Sequence, residues 1–437
     1  MLTDNQILDS MRGIIDPDLA KDIVSLGFIK KLEISGGDVS FTVELTTPAC
    51  PVKEQFKTDC EQAVSAVPGV KSVNVQMSAM QPKKKAGMGI NALLKVDSVI
   101  AVSSCKGGVG KSTIAAQLAC ALQREGLRVG LLDTDIYGPS VPTLFNIRQP
   151  QIMMRDKMLI PLEVDGLKLM SVGFVMGDAP AVMRGPMVSG YVQQILQQTD
   201  WGNLDYLLID MPPGTGDIQL TLVQQAAFDG AIIVTTPHSL SLVDVARGIL
   251  MFEKVDVPVL GIVENMAYFI CDNCEKKHYI FGQSAQALKD RFGLDTLAQF
   301  PIIEGISNLS DPSAKSDLEP LKQLTDNLHR AVGKRRIQQE ALPIVTPEPG
   351  HIRVQWPDGS EDLLVNRDVR AACQCAACIE EYTGQQILDS ETIASDIQAT
   401  SIDTLGNYAV CIAWDDGHSS GIFTWGRLKE IASSVGV

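Results

Sequence analysis

A glycine-rich segment between an apolar run and a helical pattern constrains the fold most strongly. Residues Ser103–Thr113 read Ser-Ser-Cys-Lys-Gly-Gly-Val-Gly-Lys-Ser-Thr and follow the apolar run Ser98–Ser103. Glycines at such a junction let main-chain N–H groups surround phosphate oxygens, while a lysine reaches the β- and γ-phosphates and a hydroxyl ligates Mg2+. The segment predicts an ATP and Mg2+ site, formed by Cys105, Lys106, Gly107, Gly108, Val109, Gly110, Lys111, Ser112 and Thr113, with Ser112 on the magnesium ion.

Short β-branched runs alternate with helical stretches through the middle of the chain. The runs are Ser98–Ser103, Val129–Asp133, Tyr206–Asp210, Ala231–Thr236 and Val259–Glu264. This alternation predicts an α/β fold with a parallel sheet, helices on both faces and ligands at the carboxyl ends of the strands.

Three aspartates stand at or just beyond the ends of these predicted strands. Asp133 and Asp210 end two of them, and Asp135 follows closely. A single aspartate at a strand end is usually a turn residue, but three in this order beside a phosphate loop favour Mg2+ coordination and positioning of water.

The chain has 437 residues, enough for two to four domains. We predict an α+β domain over 1–80, a linker over 81–95, the α/β domain over 96–335, a linker over 336–349 and a small α+β domain over 350–437. A capping box formed by Thr3 and Gln6 is expected to begin the first helix.

Composition excludes several classes of protein. Apolar residues make up 45% and charged residues 20% of the chain, which is typical of a soluble globular protein. No stretch approaches the roughly 18–20 apolar residues of a membrane span. The net charge of −15 opposes binding to nucleic acid or anionic lipid. The N-terminus lacks the features of a signal or transit peptide, so we expect a cytoplasmic protein.

Ten cysteines in a chain without an export signal predict reduced thiols and metal or redox chemistry. Cys271 and Cys274 form a C-x-x-C pair. Cys373, Cys375 and Cys378 form a C-x-C-x-x-C trio. We expect Cys60, Cys120 and Cys411 to pack in the core, and His238 and His278 have no metal-ligand spacing.

The phosphate loop, with its second lysine Lys106, resembles the deviant loop of the MinD/ParA/nitrogenase-iron-protein class. In that class the extra lysine crosses a dimer interface, so the resemblance implies an ATP-dependent homodimer. It also implies catalytic roles for Lys106, Lys111 and Asp135, of which Asp135 would orient the attacking water. Further implied roles are Mg2+ support by Asp133 and Asp210, a γ-phosphate switch over Gly214–Asp217, and adenine recognition by Asn265.

The cysteine pair, together with Asp135–Ser140 and Met183–Met187, resembles the Mrp/ApbC iron-sulfur carrier ATPases over about residues 96–335. One pair supplies two thiolates and a 4Fe-4S cluster takes four, so the resemblance implies a cluster bridged across the dimer by Cys271 and Cys274. A zinc ion shared in the same way, or a surface pair without metal, remain alternatives.

Both flanking domains also resemble known families. The first, through Leu45–Pro51, resembles the MIP18-type (DUF59) domain of iron-sulfur assembly proteins, in which Cys50 before a helix could hold or relay a cluster or simply fill space at the helix entry. The last, through Arg370–Cys378 and Asn407–His418, resembles the DUF971 domain. There three cysteines and a histidine bind zinc, which implies a Zn2+ site at Cys373, Cys375, Cys378 and His418.

The three-domain order most resembles the high-chlorophyll-fluorescence branch of the Mrp proteins. It implies a slow ATPase that carries a 4Fe-4S cluster from assembly machinery to apo-proteins. Two alternatives stay open at this point. One is a MinD/ParA-like ATP switch that positions partners, and the other is a zinc-binding scaffold with a regulatory ATPase fold.

Overall fold

The computed structural model describes residues 2–47, 52–80, 91–136, 138–176, 185–214, 219, 222–223, 226, 228–237, 241–255, 257–282, 285–302, 318–340, 342–357, 359–375, 377–379, 386–405 and 409–435. These residues form two compact units, Met1–Lys334 and Arg335–Val437. Within the described ranges, no helix has the length and apolar character needed to cross a bilayer.

The N-terminal part of the first unit is a helix-covered three-stranded sheet. Its elements are α1 Asp4–Met11, β1 Ile15–Asp16, β2 Lys21–Asp22, β3 Ile29–Ser35, β4 Asp38–Leu45, α2 Lys53–Ser65 and β5 Ser72–Ala79. β4 lies between β3, which is antiparallel to it, and β5, which is parallel. The predicted capping box is confirmed, since the Thr3 hydroxyl accepts from the Gln6 amide and the Gln6 side chain accepts from the Thr3 amide.

Alternating side chains of β4 build the core of this part. Val39, Phe41 and Val43 point inward, while the residues between them are half-exposed. Phe56 and Cys60 of α2 are buried as well. Burial of Cys60 was predicted and is confirmed.

The remainder of the first unit is built on a mixed sheet with a parallel centre. Its strands are β6 Val96–Ser103, β7 Val129–Asp133, β8 Met154–Arg155, β9 Met158–Leu159, β10 Leu162–Val164, β11 Leu167–Ser171, β12 Leu204–Asp210, β13 Gly230–Thr235, β14 Val259–Ile270, β15 Lys277–His278 and β16 Thr296–Pro301. Its helices are α3 Lys111–Arg124, α4 Val141–Leu144, α5 Val172–Met176, α6 Gly185–Gln198, α7 Ser241–Glu253, α8 Ala285–Phe292 and α9 Glu319–Glu340. The residues of α9 after Lys334 belong to the second unit. The small hairpin of β8 and β9 forms a separate sheet.

The parallel strands lie in the order β11-β7-β12-β6-β13-β14-β16. Strands β10 and β15 pair antiparallel with β11 and β14 respectively. Every residue of β7, β12 and β13 is buried, as expected for strands covered on both faces. The predicted α/β class and parallel sheet are confirmed.

The sheet differs from the sequence prediction in two respects. Strands β10, β11, β15 and β16 were not predicted. β11 and β16, Leu-Lys-Leu-Met-Ser and Thr-Leu-Ala-Gln-Phe-Pro, mix polar residues into short apolar runs, and β10 and β15 are only three and two residues long. β14 continues six residues beyond the predicted end at Glu264, so that Asn265 lies inside the strand rather than after it.

The second unit contains two antiparallel three-stranded sheets. Its elements are β17 Ile344–Glu348, β18 His351–Gln355, β19 Glu361–Val365, α10 Asn366–Ala371, β20 Ala399–Leu405, β21 Ala409–Trp414, β22 Gly421–Thr424 and α11 Trp425–Val435. Val410, Ile412 and Trp414 of β21 point into the core. Cys411 therefore lies on the opposite face, half-exposed, and the prediction that it packs in the core is wrong.

Candidate functional site

The glycine-rich loop lies at the carboxyl edge of the central sheet. β6 ends at Ser103 and α3 begins at Lys111, as the sequence predicts. Gly108 and Gly110 have φ values of 78° and 82°, in the left-handed region that side chains disfavour. Gly110 directly precedes α3, whose first N–H groups can receive phosphate oxygens.

Lys111 lies inside this loop rather than in solvent. Its side chain is 5% exposed and forms an ion pair with Asp210, which is fully buried at the end of β12. The Lys111 ammonium also lies 3.2 Å from the Ser112 hydroxyl. Among the described residues, the second carboxylate oxygen of Asp210 has no hydrogen-bond partner. A buried acceptor with no donor is chemically suited to a cation such as Mg2+.

Asp133 lies beside Asp210 on the neighbouring strand, in register with it. Its Oδ1 accepts from the Asp135 amide at 3.1 Å, and its Oδ2 accepts from the Val141 amide at 3.1 Å and the Ser171 hydroxyl at 3.0 Å. Burial, followed by the nearby Asp210 charge, raises the pKa of Asp133 to about 7. Burial likewise raises the pKa of Asp210. Two adjacent buried carboxyls next to one lysine make the edge receptive to a divalent cation.

Asn265 connects strand β14 to the loop. Its side-chain amide donates to the Val109 carbonyl at 2.9 Å, and its oxygen accepts from the Met266 amide at 3.0 Å. Glycine is required at position 110, because a Cβ atom there would collide with the side-chain amide nitrogen of Asn265. Both polar atoms of Asn265 thus contact main-chain atoms in this structure, and its role with adenine stays a prediction.

The two unusual residues of the loop occupy different environments. Lys106 is exposed, in contrast to the buried Lys111. Cys105 is half-buried, and its sulfur lies against Gly248 of α7, where an added Cβ atom would come within 2.6 Å of it. Cys105 therefore packs between the loop and a helix.

Two predicted residues, and most of one predicted segment, lie outside the described part of the chain. Cys50 and His238 do so entirely. Of the predicted switch only Gly214 is described, and its amide donates to the Ser104 carbonyl at 3.0 Å. Asp135 is half-buried just beyond the end of β7.

A hairpin at the end of β14 carries the cysteine pair. Cys271 follows the last residue of β14, and β15 returns antiparallel, pairing His278 with Phe269. The amides of Asn273 and Cys274 donate to the Cys271 sulfur and lower the pKa of that thiol. Amide-to-sulfur hydrogen bonds favour the thiolate, which is the metal-binding form of cysteine.

His278 joins the two cysteines. The ligand atoms of Cys271, Cys274 and His278 all lie within 4.8 Å of one another, and the Cys274 sulfur is 3.8 Å from Nε2 of His278. The sequence analysis found no metal-ligand spacing for His278 and therefore missed this grouping. The separation of three residues between Cys274 and His278 was available, but only the hairpin brings them together.

The predicted zinc ligands of the second unit converge on one point. Nε2 of His418 lies 3.3 Å from the Cys373 sulfur, 3.5 Å from that of Cys375 and 3.9 Å from that of Cys378. Cys373 and Cys378 are buried, whereas Cys375 and His418 are half-buried. Four such atoms within 4.8 Å of one another fit a closed tetrahedral site.

Neighbouring side chains orient these ligands. Arg370 donates to the Cys378 sulfur at 3.4 Å and to Asp416 at 2.8 Å. Burial, followed by the Arg370 charge, lowers the pKa of His418, which favours the neutral ring that coordinates metal. Burial opposes ionisation of Cys375, but hydrogen bonds, that of Ser420 foremost, lower its pKa to about 7. The donor set therefore fits Zn2+.

Comparison with known proteins agrees with this arrangement. Residues 95–333, more than half of the chain, match the family model described as ParA: NUBPL iron-transfer P-loop NTPase. The chain belongs to this family. Residues 4–77 match the iron-sulfur cluster assembly protein model, and residues 345–429 match the gamma-butyrobetaine hydroxylase-like N-terminal model.

The chain is also similar to individual proteins. The chain is 45% identical to Fe-S cluster assembly factor HCF101, chloroplastic, of Arabidopsis thaliana, over 100% of this chain and 84% of that protein. It is 47% identical to the iron-sulfur cluster carrier protein of Synechocystis sp., over 64% of this chain and 82% of that protein. A solved nucleotide-binding protein in complex with ADP from Archaeoglobus fulgidus is 41% identical, with a TM-score of 0.47, and covers 52% of this chain and 91% of its own.

Proposed function

We propose that this P-loop NTPase is an ATP-dependent carrier of 4Fe-4S clusters. Two copies would hold a cluster between them through Cys271 and Cys274 of each and transfer it to apo-proteins, after receiving it from assembly machinery. The names of the Arabidopsis and Synechocystis relatives support this assignment.

The continuity of β14 is the observation that carries the proposal. Asn265 contacts the glycine-rich loop, and Cys271 follows the end of the same strand six residues later. At about 3.3 Å per residue, the two sites lie at most about 20 Å apart along one strand. A change at the nucleotide site can therefore reach the cysteine pair through a single element.

Two features of the hairpin support a site shared between two copies. Each chain offers two thiolates in the pair, whereas a 4Fe-4S cluster takes four. Large apolar side chains around the pair are exposed: Ile270 by 48%, Ile280 by 60%, Phe281 by 48% and Ile302 by 45%. A second copy covering this apolar surface would bring both cysteine pairs together and exclude water from the cluster.

The phosphate site supports ATP as the nucleotide. Lys111 would exchange its bond to Asp210 for the β- and γ-phosphates, which would leave the Asp210 carboxylate free to bind Mg2+ together with the Ser112 hydroxyl. Bound Mg2+ would neutralise charge on the phosphates. Asp133 would hold the loop after β7 through its bonds to the Asp135 and Val141 amides, and Asp135 would orient water.

Hydrolysis is expected to be slow, with ATP acting mainly on dimer geometry. Lys106 is exposed in the glycine-rich loop and would reach the nucleotide of the partner copy. In the second unit, Zn2+ at Cys373, Cys375, Cys378 and His418 would be structural, because four protein ligands leave no open coordination position. Cys50 would serve as a relay ligand, and a cytoplasmic location completes the proposal.

The test is metal and sulfide analysis after anaerobic reconstitution of the full chain. We expect about four irons and four sulfides per wild-type dimer, lost in the Cys271→Ala/Cys274→Ala variant, with the zinc of the second unit retained. Cys411→Ala is the matched control, because Cys411 is a half-buried thiol that belongs to neither group of candidate metal ligands. This variant should keep the full iron content.

The outcomes separate the competing functions. Zinc without iron and sulfide in the wild type would favour a zinc-binding scaffold or an ATP switch over a cluster carrier. Full iron content in the double variant would contradict the cysteine pair as the cluster site. Transfer is measured separately, as gain of activity by an apo-enzyme that requires a 4Fe-4S cluster.

A further inference from the structure

The hairpin after β14 brings three potential ligands of one metal ion together within a single chain. Cys271 lies two residues beyond Phe269, and His278 pairs with Phe269 across the hairpin. Cys271 follows the end of β14, but its N–H donates to the Lys276 carbonyl and extends the pairing by one step, so alternation places Cys271 and His278 on the same side. The turn that joins them is closed by two main-chain bonds, Cys271 N–H to Lys276 O at 3.1 Å and Glu275 N–H to Cys271 O at 2.8 Å.

The spacing of the ligand atoms matches that around a single ion. In a tetrahedral zinc site with Zn–S near 2.3 Å and Zn–N near 2.0 Å, neighbouring ligand atoms are about 3.5–3.8 Å apart. The Cys274 sulfur and Nε2 of His278 are 3.8 Å apart, and the Cys271 sulfur lies within 4.8 Å of both. These separations need only small side-chain adjustments to accept an ion.

The imidazole is held in a defined orientation. Its ring stacks on Phe269, with centroids 5.0 Å apart and planes inclined by 18°. This stacking directs Nε2 toward the Cys274 sulfur. A free surface histidine would sample many rotamers, so the stacked ring reduces the entropy lost on metal binding.

We propose that Cys271, Cys274 and His278 of a single chain bind one thiophilic divalent ion such as Zn2+ when the cysteine pair holds no cluster. Three protein ligands leave a fourth coordination position, and Cys274 and His278 are exposed to solvent. This part rests on the geometry of one chain. A second part rests on the proposed function: zinc bound here occupies both thiolates and therefore excludes the cluster until His278 and the ion leave.

Zinc titration of the metal-free full chain against a chromophoric chelator tests the site. The wild type should bind about two zinc ions per chain, one in each unit, at a stoichiometry that does not change on dilution. His278→Ala should weaken binding of one ion by about tenfold or more while the other is unaffected. His351→Ala is the control, because His351 is an exposed strand histidine that belongs to neither group of candidate metal ligands. This variant should bind zinc as the wild type does.

Cobalt provides an independent signature. Co2+ bound at the hairpin should show tetrahedral d–d bands with thiolate charge transfer, and the d–d bands should lose intensity in His278→Ala. Unchanged zinc affinity and an unchanged cobalt spectrum in that variant would overturn the proposal. Reconstitution of His278→Ala should still give the wild-type iron content. Failure of the wild type to take up iron would contradict the carrier function but not the zinc site, because the zinc titration does not depend on iron uptake.

Discussion

The side-chain amide of Asn265 donates to the main-chain carbonyl of Val109 at 2.9 Å. This bond joins β14, which leads into the cysteine pair, to the loop that would bind phosphate. Phosphate binding draws on the N–H groups of that loop, so any rotation of its peptides changes the acceptor available to Asn265. The bond is thus a direct contact through which the proposed nucleotide and metal sites can affect each other.

Lys111→Ala should lower ATP hydrolysis by about 100-fold or more, because it removes the charge that contacts the β- and γ-phosphates. Cluster content after reconstitution should stay at the wild-type value, since the cysteine pair lies elsewhere. Asp210 can take up a proton when its partner is lost, as its raised pKa already favours, so the fold should tolerate the change. Steady-state phosphate release is the measurement, and the exposed Lys322→Ala is the control. Undiminished hydrolysis would refute the phosphate-site assignment.

Lys106→Ala should abolish ATP-dependent dimerisation while ATP binding to the single chain persists. The reason is that Lys106 is exposed and would contact the partner's nucleotide, whereas the buried Lys111 would contact the nucleotide of its own chain. Sedimentation velocity with and without ATP measures the change, and the exposed Lys254→Ala serves for comparison. A variant that still dimerises on adding ATP would show that Lys106 is not an interface residue.

His418→Ala should release zinc from the second unit and lower its melting temperature. Cys373 and Cys378 are buried, so loss of the ion leaves two buried thiols without the metal that they would coordinate. Zinc analysis combined with differential scanning calorimetry measures both effects. Cys411→Ser is the control, because it changes a half-exposed thiol on strand β21 that is not a predicted zinc ligand. This variant should retain the zinc of the second unit. Retention of zinc by His418→Ala would mean that the three cysteines suffice.

Asp205→Asn should lower stability at neutral pH by about 1 kcal/mol. Burial raises the pKa of Asp205, but hydrogen bonds from the Arg128 side chain at 2.6 and 3.1 Å and from its amide at 2.7 Å outweigh this and hold the pKa below 3.8. A carboxyl with a lowered folded pKa stabilises the protein above 3.8, and this stability is lost as pH falls through the folded pKa.

Urea unfolding of wild type and Asp205→Asn from pH 7 to pH 3 checks this dependence. The difference between them should be full at pH 7 and shrink toward the acid end. Asp200→Asn is the matched control, since Asp200 and Arg155 form an exposed pair at 3.3 Å that should contribute little. A difference that is constant with pH would exclude the carboxylate charge as its source.

Local sequence patterns predicted the parts of the site that depend on neighbouring residues. The glycine-rich loop and the strand-end aspartates Asp133 and Asp210 were found in this way, because each lies at the end of a strand made mostly of apolar residues. The four predicted zinc ligands of the second unit instead followed from a family resemblance, since His418 is distant from the trio in sequence.

Features that depend on pairing between strands could not be predicted. His278 joins the cysteines only through the register of the β14–β15 hairpin. Cys411 alternates with alanines, which are as common on a half-exposed face as on a buried one, so the pattern did not identify the core face. β11 and β16 carry polar residues that alternation alone does not distinguish from loop.

The packing of Cys105 against Gly248 has a consequence for how sequences of this kind can vary. The thiol occupies the space that a side chain on α7 would need, so the two positions share one small volume. A relative with glycine at position 105 is free to carry alanine at 248, and one that keeps the cysteine is not. Substitutions at these two positions should therefore be correlated among homologues, even though the residues are far apart in the chain.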